Sequence, residues 1–555
     1  MTGPSPDRPA ASARRLAIIG GGSSGLISLK HAREFLPDWE VVCFEKSNSI
    51  TGCWGNPYPG FVSTSTKYTT QFSCYATFDA NVQPDGGASR AEFFRDDEYG
   101  RYLEDFSDHF NLRPHIRLEH TVENLRRTDG QDIRERTLIV FRGAASTKRT
   151  ERVDRVILCT CLAAQPTPLD TSVRTISHGE LSSPQGLGHI TGQQIVVVGG
   201  GESAVDYANR LARAELGNDV YLSLHSGVRV SPRYHPIRGV PSDFLRNRLM
   251  LSIHPDLRNW IGEGFVRARI RYQKLFERVF PKTRNEAELS KTDNYDDARQ
   301  QRYSKWAFKL TEAAKDDLFN MFHNKSDDFL RAVAEERIKI VGTPMDPSFT
   351  TYGGFDQREA EVQISPDLVV PAIGYRSTLG DLSDGCVQLA DFYLGCCHVD
   401  FPDLFLVGFA RPIIGNIPSI SEMQARLACG VIAGEFDLPA EMMQLHHANR
   451  EFLQARFGKL NLDAVYPVEM NPYCDHLARL MRTYSSVRNV GSLRAWWRMQ
   501  LQPATTLHYL YNGSPDAEPA KGAPIYMPPL LIGLLLMLQP VDWSYRVFRR
   551  FASRS

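Results

Sequence analysis

The chain has no excess of either charge: Lys and Arg number 64, and Asp and Glu number 64. That balance argues against bulk nucleic-acid binding, which needs a basic surface. No two of the ten cysteines form a C-x-x-C pair or a zinc-ligand spacing. Cys159-Thr160-Cys161 has one spacer residue where a redox dithiol needs two, which counts against a disulfide reductase, and scattered thiols fit a reducing compartment. Met1 to Arg15 is rich in Pro, Ser and Ala with no apolar stretch, so no secretory signal is expected there, only a disordered arm. No Ser/His/Asp or Cys/His signature marks a protein nucleophile. The apolar run Pro524–Leu538 carries no charge but is shorter than the roughly twenty residues that a bilayer-spanning helix needs, and prolines occupy its start.

What the sequence does have is a strand, a glycine turn and a helix, twice. Leu16-Ala17-Ile18-Ile19 is a buried strand, and Gly20, Gly22 and Gly25 after it fit G-x-G-x-x-G. Gly20 permits the tight turn, Gly22 lets backbone approach a pyrophosphate, and Gly25 lets helix pack on strand. Ser24 belongs to the same turn, whose helix N-terminus faces phosphate with unpaired N–H groups. Glu45, at the end of the strand Val41–Phe44, is placed to accept from ribose hydroxyls. This site suits a dinucleotide with free ribose hydroxyls, such as FAD.

The second unit runs Gln194–Val198, then Gly199, Gly201 and Ala204 as G-x-G-x-x-A with Ser203 inside it, then a helix and the strand Val220–Leu224. No carboxylate follows that strand. His225 stands there, with Arg229 and Arg233 close behind; cations accept a 2′-phosphate where an acid would repel it. The second site therefore leans to NADPH, with solvated surface charge as the alternative reading of the arginines. Two intact fingerprints count against a binding or scaffold protein that keeps FAD only structurally.

Between and after these units the pattern is coarser. Gly52-Cys53-Trp54-Gly55 is a turn whose aromatic either lies against a bound ring system or packs as a surface Trp. Phe61–Thr70 is dense in hydroxyls and lacks helical period, Glu92–Phe110 reads as an amphipathic helix, and Ile116–Arg142 as a small antiparallel layer. Arg267–Phe280 and Tyr303–Phe322 have amphipathic spacing within a charged helical insertion. Leu368–Tyr375 and Phe405–Ala410 are strands, and Ser419–Arg426 opens a helix with a plausible cap, its N-terminus directed at a flavin edge. Trp543, Tyr545 and the cluster Arg546, Arg549, Arg550 and Arg554 behind the apolar run suit a shallow anchor at a membrane interface; a helix buried on the domain or in a dimer contact is the alternative.

In their order and content these motifs resemble the flavin-containing monooxygenases, the class B flavoproteins. The resemblance rests on Gly20-x-Gly22-x-x-Gly25 with Glu45, the Gly52/Trp54 loop, Gly199-x-Gly201-x-x-Ala204, the strand end Ala372-Ile373-Gly374-Tyr375 and the block Pro418–Arg426 with Gln424. It implies an α/β fold with two Rossmann-like dinucleotide-binding domains, one for FAD and one for NADPH, a helical insertion and a C-terminal membrane-associating tail. The boundaries expected are 1–14 for the arm, 15–170 for the first part of the FAD domain, 171–350 for the NADPH domain with the insertion at about 234–339, 351–435 for the return of the FAD domain, 436–520 for a C-terminal helical region and 521–555 for the tail.

The activity implied is FAD- and NADPH-dependent oxygenation of a soft nitrogen or sulfur nucleophile in a small molecule, with O2 as co-substrate and a C4a-hydroperoxyflavin as oxidant. Thr64 and Ser65 are the candidate catalytic residues, Thr64 standing where the family has an active-site Asn. Gly20, Gly22, Ser24, Gly25, Glu45, Gly52, Trp54, Gly199, Gly201, Ser203, Ala204, His225, Arg229, Arg233, Tyr375 and Gln424 are the candidate cofactor-binding residues, and no metal site is expected. The departures also carry information. The family's F-x-G-x-x-x-H stretch survives only as His178, with Ser172 and Arg174 where Phe and Gly would be, which argues against a Baeyer–Villiger enzyme. Cys161 replaces a usual glycine, and the missing Asn keeps a peroxide-releasing NADPH oxidase as an alternative. An intracellular protein at the cytosolic face of a membrane, able to form a homodimer, completes the expectation.

Overall fold

The computed structural model describes residues 14–55, 57–83, 89–127, 136–142, 149–160, 165–183, 187–235, 239–272, 275, 278–279, 297–314, 321–355, 360–510 and 522–552. The arm, Cys161 and Arg554 lie outside the described residues. Leu16, Ala17 and Ile18 are fully buried, as a strand covered on both faces must be. Their strand, Arg15–Ile19, is central in a seven-stranded sheet whose spatial order is Phe392–Tyr393, Cys397–His398, Leu404–Leu406, Arg155–Leu158, Arg15–Ile19, Glu40–Phe44 and Ile116–Arg117. Its neighbours Glu40–Phe44 and Arg155–Leu158 both run parallel to it. The chain leaves this sheet after Leu158 and returns more than two hundred residues later at Phe392, after which Leu404–Leu406 pairs in parallel with Arg155–Leu158.

The intervening chain builds a second sheet of four parallel strands, in the order Ile338–Val341, Asp219–Ser223, Gln194–Val198 and Leu368–Pro371. The strand Leu368–Pro371 lies beyond the boundary expected near 350, yet it hydrogen-bonds beside Gln194–Val198 in the second sheet; the chain rejoins the first sheet only at Phe392. The small antiparallel layer is His120–Arg127, Arg136–Arg142 and Arg149–Val153. Within the insertion the long helices among the described residues are Pro255–Arg271 and Asp297–Glu312.

Two local expectations need correction. Glu92–Phe110 is not one helix: Phe93–Arg95 is a strand paired with Val62–Thr66, and the helix is Glu98–His109. Phe93 and Phe94 are buried by that pairing, so their apolar spacing reports a strand face as well as a helix face. The late helix begins at Ile417, with Asn416 as its N-cap, accepting from the Ser419 N–H at 2.9 Å, and Pro418 in its first turn.

The C-terminal region is fastened to the insertion by buried charge. Arg258 and Arg456 both bond Glu469, and Arg258 and Glu469 are nearly inaccessible. The last helix, Pro529–Ala552, docks through polar contacts: Asp542 accepts from the His254 N–H at 2.6 Å, and Tyr545 donates to Asp256 at 2.8 Å. Part of its apolar surface is exposed, with Leu530 67%, Met537 76%, Trp543 68% and Phe548 70% exposed. No helix among the described residues is long and apolar enough to cross a membrane.

Candidate functional site

The first fingerprint is a backbone cradle. Gly20 has φ +107°, and a Cβ there would meet the Cys159 carbonyl oxygen at 2.7 Å; a Cβ on Gly25 would sit 1.7 Å from the Gly20 oxygen. Only glycine fits either place. The helix Ser23–Phe35 starts at Gly22 with no side chain capping it, so its first N–H groups remain for a ligand phosphate. Glu45 is buried; its carboxylate accepts from the Gly21 N–H at 2.6 Å and from the Ser47 N–H and hydroxyl at 2.8 and 2.6 Å. Those bonds fix the carboxylate at the sheet end where a ribose would lie. The Gly52–Trp54 turn closes over the cradle, a Cβ on Gly52 falling 3.1 Å from the Gly22 Cα, and Trp54 stands edge-on to Tyr99 at 5.0 Å. Ser24 bonds Ser421 at 2.9 Å, joining the fingerprint helix to the late helix.

The second fingerprint repeats the cradle. Gly199 has φ +129°, Gly201 is an N-cap without side-chain capping, and the helix is Glu202–Leu211. Beside it a cavity of about 340 Å³ is lined by Gly199, Gly200, Ser223, His225, Arg229 and Thr343, among others. Arg229 is buried and paired with Glu263 at 2.6 Å. Arg233 does not line this cavity: it donates to the carbonyls of Ser63 and Val62 at 2.9 and 2.6 Å and pairs with Asp327 at 3.3 Å. It braces the hydroxyl-rich strand Val62–Thr66, a role that its spacing from the fingerprint does not reveal. Gln424 is also turned away from both cradles. Fully buried, it accepts from the Gly408 N–H at 3.0 Å and donates to Gly395 and Tyr473 at 3.2 and 2.8 Å, so its amide locks the late helix to the sheet.

The two units meet beside the cradles. Ser203 hydrogen-bonds Tyr375, whose phenol burial nevertheless pushes above its ordinary value. Arg210, on the second fingerprint helix, lies 3.9 Å over the Tyr58 ring and donates to the Pro59 carbonyl at 3.1 Å. Between them is a cavity of about 230 Å³. Trp54, Thr64 and Ser65 reach it from the first unit, Glu202 from the second, and Asn416, Ile417 and Pro418 from the start of the late helix. The hydroxyl strand is held in place: Ser63 donates to the Ser65 carbonyl at 2.7 Å, and the Thr66 N–H donates to Asp243 at 3.0 Å. Asp243 is buried and in turn holds Lys325 at 2.6 Å and Arg246 at 3.6 Å, cations that keep its carboxyl below the ordinary range against the effect of burial.

Glu202, Arg246, Lys325, Arg411 and Asn416 line the cavity without having been singled out from sequence. Asn416 carried a signal, an Asx cap just ahead of Pro418. Glu202 occupied an unconstrained position of its fingerprint, and the three cations had no local pattern at all.

Two dinucleotide cradles in one chain, with a cavity that residues of both units line, define a flavin- and nicotinamide-using oxidoreductase. Residues 13–291 match the model of the flavin-binding monooxygenase-like family, and the chain belongs to that family. It is 22% identical over 491 residues to a 4-hydroxybenzoate brominase (decarboxylating) of Pseudoalteromonas luteoviolacea, covering 84% of each chain. It is 24% identical over 507 residues to human flavin-containing monooxygenase 1, covering 87% of this chain and 85% of that one. Among solved structures, NADP+-bound cyclohexanone monooxygenase from Rhodococcus sp. Phi1 superposes with a TM-score of 0.53 at 14% identity, over 85% of this chain and 98% of that one. The cofactors are FAD and NADPH, and the glycine cradles fit both: each leaves helix N–H groups uncapped where a pyrophosphate binds.

Proposed function

We propose that the enzyme transfers one oxygen atom from O2 to a soft nitrogen or sulfur nucleophile of a small organic substrate at the expense of NADPH. The observation that carries this reading is the single cavity shared by the Trp54 turn, the Thr64-Ser65 strand and the second fingerprint at Glu202. When bound there, FAD supplies the redox chemistry, accepting electrons from NADPH and activating oxygen. The chain's own residues position and shield. Gly20, Gly22, Gly25 and Glu45 hold the FAD diphosphate and ribose; Gly199, Gly201 and Ala204 hold NADPH, with His225 at its ribose end. Thr64 and Ser65 offer hydroxyl donors to the reacting face, and Trp54 and Tyr99 keep water from it. Relatives with different named reactions share this scaffold, so the reaction is argued from the cavity. The exposed apolar surface of Pro529–Ala552 supports a further part of the reading, that this helix lies shallowly on a membrane surface.

The test is product analysis on the FAD-loaded enzyme given NADPH, labelled O2 and a panel of tertiary amines, sulfides and cyclic ketones. N- or S-oxides carrying one labelled oxygen are expected. Quantitative recovery of NADPH electrons as hydrogen peroxide with every substrate would establish an oxidase instead, and lactones from the ketones a Baeyer–Villiger enzyme. Thr64→Ala is expected to raise the share of electrons lost as peroxide at least threefold; an unchanged share removes Thr64 from the oxygen-handling face.

A further inference from the structure

The second fingerprint helix, Glu202–Leu211, reaches into the first unit. Beyond its start at Gly201, where the second cradle opens, it presents Asp206 and Arg210, four residues apart and so on one face. Arg210 is buried, lies 3.9 Å over the Tyr58 ring and donates to the Pro59 carbonyl at 3.1 Å. Asp206 meets the Tyr58 hydroxyl; burial first, and then the Asp206 carboxylate, push that phenol up. The Nε and one Nη of Arg210 are buried with no hydrogen-bond partner among the described residues.

Tyr58 belongs to the turn-rich loop that carries Trp54. Its ring stands edge-on to Phe61 at 5.6 Å, Phe61 stands edge-on to Trp54 at 5.9 Å, and Trp54 lines the shared cavity. One guanidinium and three rings therefore join the nucleotide helix to the aromatic at the cavity, and rings in edge-to-face contact hold one another in defined orientations. Stability alone does not account for this junction. A buried cation with unfilled donors is costly, and an apolar pair of the same volume would pack the seam as well or better. What a planar guanidinium supplies, stacked on a tyrosine and tied to a carbonyl, is a fixed distance and angle between helix and loop. Hydride transfer depends on that geometry, since a displacement of about 1 Å can cost about a hundredfold in rate.

We propose that Arg210 and Tyr58 are positioning residues: their contact sets the nucleotide helix against the Trp54 loop, so that the nicotinamide carried by the second unit meets the flavin carried by the first. The step they serve takes one hydride, with its two electrons, from NADPH to oxidised FAD and leaves NADP+ and reduced flavin. This rests on reading the two cradles as the FAD and NADPH sites and is independent of where the oxygen goes.

Anaerobic stopped-flow reduction of the FAD-loaded protein by NADPH, with no substrate present, measures delivery, and calorimetric titration with NADP+ measures binding. Arg210→Ala and Tyr58→Leu are each expected to lower the limiting reduction rate at least about tenfold, with NADP+ affinity within about threefold of the parent. The double variant is expected to be no slower than the slower single one, because both changes break one contact. Tyr58→Phe keeps the ring and is expected to retain at least half of the parent rate. Limiting rates within twofold of the parent in both single variants overturn the proposal. So does a fall in NADP+ affinity by the same factor as the rate, which would make Arg210 part of the nucleotide cradle. Effects that multiply in the double variant overturn it as well, and so does a Tyr58→Phe rate as low as that of Tyr58→Leu. If Arg210→Ala takes up no FAD, Tyr58→Leu decides alone. Slowed reduction with intact NADP+ affinity in a protein that oxygenates nothing supports the positioning role and sinks the oxygen-transfer reading; oxygenation of amines by variants reduced at the parent rate does the reverse.

Discussion

The two fingerprints differ most at their third small residue. At Gly25 the helix presses so closely on its own turn that a methyl group would lie 1.7 Å from the Gly20 carbonyl oxygen. At the matching place in the second unit Ala204 already carries that methyl and is fully buried without conflict. The acids differ as well. In the first unit Glu45 follows the second strand, Glu40–Phe44, and is anchored by Gly21 and Ser47, whereas in the second unit the matching strand, Asp219–Ser223, is followed by Leu224 and His225, neither of them an acid. One motif therefore serves two purposes: a tight cradle with a fixed ribose acceptor suits a resident flavin, and a looser one without an acid suits a nicotinamide cofactor that is exchanged in each turnover.

The most severe way to break this asymmetry is to exchange the third residues. Gly25→Ala forces helix and turn apart in the first unit and is expected to cost about 3 kcal/mol or more, with little flavin retained. Ala204→Gly removes a tolerated methyl from a helix and is expected to cost about 1 kcal/mol, with flavin content unchanged. Thermal melts and the ratio of flavin to protein absorbance measure both. Equal losses in the two variants would mean that the units are packed alike and that the close approach at Gly25 has no special weight.

Next in size is Glu45→Gln, which preserves shape but removes the charged acceptor. A charge-assisted hydrogen bond contributes about 1.5–3 kcal/mol, so FAD affinity is expected to fall by about tenfold to a hundredfold, while NADP+ affinity holds. A fall in both affinities would show that Glu45 acts by supporting the sheet end and not by accepting from ribose.

The fold was readable because it depends on local patterns: apolar runs such as Leu16–Ile19 and Ile195–Val198, each followed by glycines at fixed spacing. Trp54, Thr64 and Ser65 were also legible, being an aromatic in a glycine turn and hydroxyls in a stretch without helical period, and the structure brings all three to one cavity. Arg233 and Gln424 were assigned to cofactors because they stand close in sequence to cofactor motifs, but each is consumed by protein partners that spacing does not show. Lys325 and Arg411 were illegible for the opposite reason. Lys325 becomes a wall of the site only through Asp243, 82 residues away, and Arg411 only through the path of the chain back into the first sheet. Contacts of that separation leave no periodic trace.

The finest contrast lies between the fingerprint helices in their response to pH. His31 on the first helix is buried, and desolvation lowers its pKa from 6.5. The unfolded chain then binds the proton more readily, so stability tied to His31 is present above pH 6.5 and is lost as pH falls toward the folded value. Glu202 on the second helix is shifted the other way: although the residue keeps an exposed side, desolvation of its carboxyl at the cavity wall raises it above 4.5 against the pull of Arg411, Lys325 and Arg233, so its contribution is present below pH 4.5 and is lost as pH rises through the folded value. Two variants separate these effects in melts between pH 5 and pH 8. His31→Gln is expected to flatten the acid side, gaining on the parent by up to about 1.4 kcal/mol per pH unit below pH 6.5. Glu202→Gln is expected to gain on the parent at pH 8, by an amount that shrinks toward pH 5. A Glu202→Gln difference that stayed flat from pH 5 to pH 8 would mean that the three cations around this carboxylate outweigh its desolvation and keep it charged throughout that range.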